Sequence, residues 1–480
     1  MNDSDEMPVS WAKENLSKIV DYKKGKKPKK MERSPFKNSL VYLDIRAIEK
    51  GNDEIFVDVE SSNITNETEL VIVWDGARAG WVGKSRKGAL GSTLMALKPK
   101  IDKDYLFRFL QTQFQYLQTN HRGTGIPHVD PDIFWNIPVP IAPLPEQQRI
   151  VAKLDALFEK IESNKQRLDK IPKLLKRFRQ SVLAAAVSGK LTEDWREWND
   201  FKNQFDISNG FEIDETYKEL LELPLNWKWV ALGNYVKCNR GRFSIRPRND
   251  PRYFGGNIPF IQIGDLPREG GYVSKHTQTL NDAGLKVSKM FPKNTIAMAI
   301  VGATIANTGI LAYDMCFTDS MVGMNTGVLD LNKYLDYYLR IEKENFRQLS
   351  YAGGGQPNIK LELLNAYPFP LPPLEEQKEI VKQVEQLFAF ADRIEVRYIK
   401  AKAMLDKFPQ SILAKAFRGE LVSQNSEDEP ASVLLARINE EKEKLRQAKT
   451  DKKVKKSKEY SLEQQPLKMV AERKAKYKKG

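Results

Sequence analysis

Apolar residues recur at helical spacing along two long stretches of this chain. In the first, Ile150, Leu154, Leu157, Ile161, Leu168, Ile171, Leu175, Phe178 and Val182 step by threes and fours, with one miss at Asn164. In the second, the steps repeat through Ile380, Val384, Leu387, Ala391, Ile394, Tyr398, Ala401, Leu405, Phe408 and Ile412. Such a stripe is the seam of a coiled coil. Each stretch predicts a helix of about 42 residues, about 60 Å long at 1.5 Å per residue. Each starts with proline ahead of acidic residues, Pro143-Leu144-Pro145-Glu146-Gln147 and Pro373-Leu374-Glu375-Glu376-Gln377. A missing amide costs nothing there, and negative charge suits the helix dipole. Each ends at a glycine placed to leave the helix left-handed, Gly189-Lys190-Leu191 and Gly419-Glu420-Leu421. Interior proline costs about 3 kcal/mol, so Pro172 and Pro409 predict a kink in each helix.

The two stretches are copies. A constant offset of 230 separates 143 from 373, 158 from 388, 181 from 411 and 189 from 419. The repeat extends upstream. Pro8-Val9-Ser10-Trp11 and Pro224-Leu225-Asn226-Trp227 open two blocks, each followed by a glycine in basic company, Gly25 and Gly241. Each tryptophan reads as a core anchor. Within the blocks, Leu70–Trp74 stopped by Asp75-Gly76, and Ile296–Val301 stopped by Gly302, read as buried strands. Further strands are predicted over Ser39–Asp44, Ile55–Val59, Ile258–Ile263 and Thr308–Tyr313, and helices over Tyr105–Leu117 and Lys333–Ile341. Each block is thus a mixed sheet and helix domain of ordinary size. A glycine turn precedes each long helix, Gly123-Thr124-Gly125-Ile126-Pro127-His128 and Gly353-Gly354-Gly355-Gln356-Pro357-Asn358. The prolines deny it the strand-then-helix setting of a dinucleotide loop.

Composition narrows the class. A chain of 480 residues implies two to four domains. No apolar run approaches the roughly 18 residues of a membrane span and no signal peptide opens the chain, so a soluble, cytoplasmic protein is expected. Cys238 and Cys316 lack ligand spacing, and only three histidines could join them, which argues against a metal site or disulfide framework. The net charge of +14 points toward a polyanion. Half of that excess sits in residues 450–480, where eleven Lys or Arg face four acids.

Catalytic motifs fail on inspection. Ser188-Gly189-Lys190-Leu191-Thr192 lacks the phosphate loop's first glycine, which Ala184 replaces. Asn249-Asp250-Pro251-Arg252-Tyr253 displaces the proline of an adenine-methyltransferase motif. The scattered histidines make no hydrolytic triad. What remains is cations on loops: Lys23, Lys24, Lys26, Lys27, Arg78, Lys84, Arg86, Lys87 and Arg122 in the first block, and Arg240, Arg242, Arg246, Arg248 and Arg252 in the second. Arginine can grip guanine bidentately and lysine neutralises phosphate, so these are candidate DNA contacts.

Together these features resemble the specificity subunits of type I restriction-modification systems. The resemblance spans residues 8 to about 448. It rests on the Trp11 and Trp227 openings, Asp75-Gly76, the glycine turns, the Pro-Leu-x-Glu-Gln helix starts, Ser181-Val182-Leu183-Ala184 with Gly189-Lys190-Leu191, and Glu429-Pro430-Ala431-Ser432-Val433-Leu434-Leu435. It implies an α+β fold in which two target-recognition domains are joined by two long antiparallel coiled-coil helices with internal pseudo-twofold symmetry. The expected division is 1–137 first recognition domain, 138–191 first helix, 192–223 linker with Trp195 and Trp198, 224–367 second recognition domain, 368–422 second helix, 423–449 a C-terminal helix packed on the rod, and 450–480 a disordered basic tail. The implied role is non-catalytic: reading a bipartite DNA target and positioning two methyltransferase subunits and restriction (motor-nuclease) subunits for adenine methylation or cleavage. S-adenosylmethionine, ATP and magnesium would belong to those partners, with no membrane involved. The helix motif Pro143, Leu144, Glu146, Gln147, Pro373, Leu374, Glu376 and Gln377 is expected near the partner subunits. Alternatives are a methyltransferase-nuclease fused to its own recognition domains, and a coiled-coil scaffold that binds no DNA.

Overall fold

The computed structural model describes residues 7–123, 125–199, 210–215, 217, 220–351, 357–448 and 450. The expected Gly353-Gly354-Gly355-Gln356 turn, the middle of the linker and the tail from 451 onward lie outside the described residues. The chain divides into two compact units, residues 1–167 with 401–480, and residues 168–400. These cut across the chain-order divisions, because each block is completed by helical segments from both long stretches.

In the first unit, strands β1 (Ala12–Asn15), β2 (Val20–Lys24), β3 (Met31–Glu32), β4 (Ser39–Leu43), β5 (Phe56–Asp58), β6 (Ile64–Thr65), β7 (Leu70–Val73), β8 (Val82–Lys84), β9 (Gly88–Leu90), β10 (Leu94–Pro99) and β11 (Pro138–Ile141) form three sheets. Their orders are β2-β10-β7-β8, β3-β5-β4-β9-β6 and the pair β1-β11. Strand β7 is buried on both faces, as its unbroken apolar run predicts. Leu70 and Ile72 face one core cluster, Val71 and Val73 the other.

The second unit repeats the plan with β12 (Lys228–Ala231), β13 (Cys238–Arg240), β14 (Phe254–Ile261), β15 (Tyr272–Val273), β16 (Gln278–Leu280), β17 (Met290–Phe291), β18 (Ile296–Ala299), β19 (Thr308–Leu311), β20 (Met315–Phe317), β21 (Met321–Met324) and β22 (Pro368–Leu371). Here the orders are β13-β21-β18-β19-β15, β16-β14-β20-β17 and β12-β22. The shared pattern includes a parallel pair in each block, β4 with β9 and β14 with β20. Strand β14 stops at Ile261, short of the expected Ile263, because Gln262 and Asp265 cap a 3-10 turn over Ile263–Asp265. Helices Lys103–Thr119 and Leu329–Ile341 include the predicted periodic segments.

The two prolines, each expected to kink its helix, sit in different settings. The first long helix breaks into Leu144–Leu168 and Ile171–Val187 around a turn at 169–170, and Pro172 falls in the first turn of the second piece, where no amide is needed. The other runs unbroken over Leu374–Ala416, with Pro409 inside it. Within the first unit, Ile150 and Leu154 share a core with Leu413 and Ala416, while Lys165 pairs with Asp406 at 3.0 Å, so the segments run oppositely. Within the second, Val182 and Ala186 share a core with Val384 and Ile380, and Arg179 pairs with Asp392 and Glu395, each at 2.7 Å. The glycine exits hold. Gly189 has φ +76° and Gly419 φ +80°, and an added Cβ would lie 2.4 Å from Pro224 Cγ or Pro8 Cγ respectively. The helix over 431–448 lands on the first block rather than only on the rod. Ala431 N donates to Ser10 O at 2.9 Å, and Lys442 Nζ donates to the carbonyls of Ser17 and Lys18. Segment 192–199, expected as linker, folds into a short helix over Glu193–Glu197.

One junction ties each block to its long helix. Trp11 Nε1 donates to Glu146 Oε2 at 3.0 Å, and Trp227 Nε1 to Glu376 Oε2 at 2.8 Å, all four side chains being buried. The neighbouring glutamines bridge back in the same way. Gln147 Nε2 donates to Ala142 O at 2.7 Å and Gln377 Nε2 to Pro372 O at 3.0 Å. The second oxygens differ. Glu146 Oε1 accepts from Gln424 Nε2 at 2.7 Å, whereas Glu376 Oε1 accepts from Thr192 Oγ1 and from the Arg196 guanidinium.

Burial raises the pKa of the Glu146 carboxyl above its ordinary value, against the opposing pull of its bonds from Trp11 and Gln424. A raised folded-state pKa means that the folded chain holds this proton longer. Its stabilising effect is full below the unfolded pKa of about 4.3 and is lost as pH rises through the folded value. Glu146→Gln keeps an acceptor for Trp11 once Gln424 turns its amide. Its stability relative to the wild type should therefore climb as pH rises above about 4 in urea titrations; parallel pH profiles would refute the assignment. Trp11→Phe, which strands a buried acceptor, should cost about 1–3 kcal/mol at neutral pH. Leu154 is fully buried and Leu157 only partly. Leu154→Ala should accordingly cost about 2–5 kcal/mol, with Leu157→Ala clearly less by the same titration.

Candidate nucleic-acid interface

The first-block cations are mostly held by acids on neighbouring elements. Lys23 pairs with Glu69 at 2.8 Å, Arg78 with Glu49 at 2.6 Å, Lys84 with Asp104 at 2.7 Å, and Arg86 with Asp53. Two of them meet around the turn that follows β7. Lys24 pairs with Asp75 at 3.0 Å, Asp75 approaches His128 Nδ1 at 3.4 Å, and the His128 backbone bridges that of Arg122. The Arg122 guanidinium is itself spread over Asp130 and Asp132. Its hydrogen bonds to the Asp132 and Asp130 carboxylates raise its pKa, so it is a fixed cation at the rim of the glycine turn. Lys26, Lys27 and Lys87 are exposed and make no ion pair among the described residues.

In the second block the arginines converge. Arg248 donates to Asp319 Oδ1 at 2.6 Å, Arg246 lies 3.5 Å from Oδ2, and Arg240 Nε donates to the Asp319 carbonyl at 2.7 Å. Three guanidinium groups therefore surround one carboxylate-bearing residue at the C-terminal end of β20. Arg242 stands apart on the Ser288 carbonyl at 2.6 Å. Arg252 lies outside the cluster on Asp250 at 2.6 Å, where its hydrogen bonds hold the Asp250 carboxyl below its ordinary value. Such arginines are pre-aimed rather than floppy, and a phosphate can take over from the surface carboxylate that holds them.

Sequence reasoning missed the polar neutral residues of this region. Gln262 Nε2 donates to Gln278 Oε1 at 2.7 Å, and Ser320 Oγ lies 3.4 Å from Arg248. Charge clustering cannot flag amides, and the two glutamines become neighbours only when β16 pairs with β14.

The helix-start motif, expected near the partner subunits, is turned largely inward. Glu146, Gln147, Glu376 and Gln377 are buried and bonded within the chain, so their side chains are not presented outward. They fill core positions because each closes the first turn of its helix onto its block. Leu144 and Leu374 are exposed, while Pro143 and Pro373 are buried.

Comparison with known proteins agrees with this architecture. The family described as the type I restriction modification DNA specificity domain matches residues 8–173 and 224–402. The type I restriction enzyme EcoBI specificity subunit of Escherichia coli is 30% identical over 464 residues, covering 90% of this chain and 92% of that protein. The EcoDI specificity subunit of Escherichia coli is 28% identical over 451 residues, covering 91% and 96%. Among solved structures, the HsdS subunit from Thermoanaerobacter tengcongensis superposes with a TM-score of 0.60 at 21% identity, over 87% of this chain and 98% of that one, a likeness of fold. With the family description matched once in each half of a duplicated α+β chain, the protein belongs to the type I restriction-modification DNA specificity family.

Proposed function

We propose that this chain reads a bipartite double-stranded DNA target, residues 1–137 contacting one half and residues 224–367 the other. As a specificity subunit it catalyses nothing itself. It positions two methyltransferase subunits and the restriction subunits, in the cytoplasm, for adenine methylation or cleavage, and S-adenosylmethionine, ATP and magnesium are bound by those partners. The single observation that carries this reading is the duplication itself: a common core of strand pairings, β2-β10-β7-β8 with β13-β21-β18-β19 and β5-β4-β9-β6 with β16-β14-β20-β17, occurs twice, each block bonded through its own tryptophan to its own helix. A protein that recognised one continuous site would not need two complete readers.

The two recognition domains are joined by their long helices as an antiparallel coiled coil with pseudo-twofold symmetry. Opposed helix directions within each unit support this. The cations named above serve chiefly as phosphate contacts, which set register without reading sequence. Exposed Lys26, Lys27 and Lys87 are the readiest of them. No helix among the described residues is long and apolar enough to cross a membrane.

The test is a block exchange. Residues 8–137 are replaced by the matching block of a relative with a different target, and the chain is assembled with its methyltransferase subunits. Methylation of a random-sequence library should then show one half of the target changed and the other retained. Alteration of both halves would sink the two-reader account, and methylation without the chain would show that sequence is read elsewhere.

A further inference from the structure

In the second block, the sheet β16-β14-β20-β17 gathers unlike polar groups at one end. Gln262 follows β14, Thr318 to Ser320 follow β20, and Gln278 begins β16, which runs antiparallel to β14. Between them lies a small hollow of about 130 Å³, lined by Phe243 and Phe260, with Gln262, Thr318, Ser320 and Arg248 around it. Both phenylalanines are almost completely buried, so they form its apolar floor.

Gln262 and Gln278 bond to each other at 2.7 Å across the strand pair, at an exposed position. That bond uses one amide hydrogen and one carbonyl. The Gln262 oxygen also takes the Asp265 backbone N–H in the 3-10 cap, which fixes its amide with Nε2 toward Gln278; the pair still offers the second lone pair of each carbonyl as acceptor and its remaining N–H groups as donors. This is the complement of adenine in the major groove, which presents N6–H₂ as donor and N7 as acceptor; guanine presents two acceptors there. The thymine opposite carries a methyl group, which apolar side chains receive. Arg248 stands at the rim, held by Asp319 at 2.6 Å.

We propose that the Gln262–Gln278 pair, with the hollow beside it, selects an A·T base pair within the half-site read by the second block, while Arg248 grips the adjoining phosphate. The proposal rests on the reading of this chain as a DNA specificity subunit. It assigns a difference between the halves: at the equivalent end of the first block, Asp44 caps the helix Ile45–Lys50 through Ala47 N, with no amide pair there among the described residues. Two readers of one fold must differ where they touch bases.

The experiment uses the full chain assembled with its methyltransferase subunits, and sequences the DNA methylated from a randomised library. The wild type is expected to require A·T at one position that Gln262→Ala and Gln278→Ala each relax, by about 10-fold or more in discrimination. The other half-site stays unchanged. Gln278→Glu, of the same size but without the donor, should relax the same position. Arg248→Ala should weaken all sequences alike and lower the salt slope by about one. Thermal unfolding of each variant confirms that these surface changes leave the fold intact. Unchanged specificity, relaxation in both halves, or uniform weakening by the glutamine variants would overturn the proposal and leave the two-reader function standing. A wild-type complex with no bipartite requirement would overturn the function instead.

Discussion

A buried hydrogen bond between an indole and a carboxylate sets the frame of each unit. Trp11 on Glu146 and Trp227 on Glu376 fasten the opening segment of a block to the first turn of the helix that follows it. A buried carboxylate is costly unless every oxygen is satisfied. Each site therefore recruits a second donor from a distant stretch of chain, Gln424 in one and Thr192 with Arg196 in the other. Those donors lie just past the glycines that end the helices, and those glycines pack directly on Pro8 and Pro224. Helix start, helix exit and block opening thus meet at one point in each unit, and a change at any of the three is felt by the others.

Much of this was legible in the amino-acid pattern. The runs Leu70–Val73 and Ile296–Ala299 are the doubly buried strands their composition demands. The seams from Ile150 and Ile380 mark the long helices, and Gly189 and Gly419 take the left-handed exits. What the pattern hid follows from its one-dimensional nature. A glutamate near a helix start reads as exposed and dipole-stabilising, so the inward aim of Glu146 and Glu376 becomes visible only with the tryptophan that each meets. Proline position alone could not separate the turn before Pro172 from the unbroken helix at Pro409, because the distinction depends on whether the preceding residues leave the helix. The cations were found, but not their acids: Asp319 gathers three arginines across the fold, from residues roughly 70 to 80 positions earlier.

The contrast between junction and loop explains how one architecture carries variable recognition. The junction residues are buried, mutually bonded and repeated in both units. The loop ends of the sheets are solvated and differ between the blocks in charge, capping and amide content. Stability is concentrated where the halves are alike, and chemistry for a ligand lies where they differ. A half-site reader can therefore change its contacts without loosening the bond that holds it to its helix.

The central claim is that two separate readers act within one chain. Base-removal interference mapping tests it most directly, with the full chain and its methyltransferase subunits bound to a duplex that carries the target. The account predicts two clusters of indispensable base pairs, separated by a spacer whose bases can be removed without loss of binding. A single uninterrupted cluster, or interference confined to backbone phosphates, would contradict it.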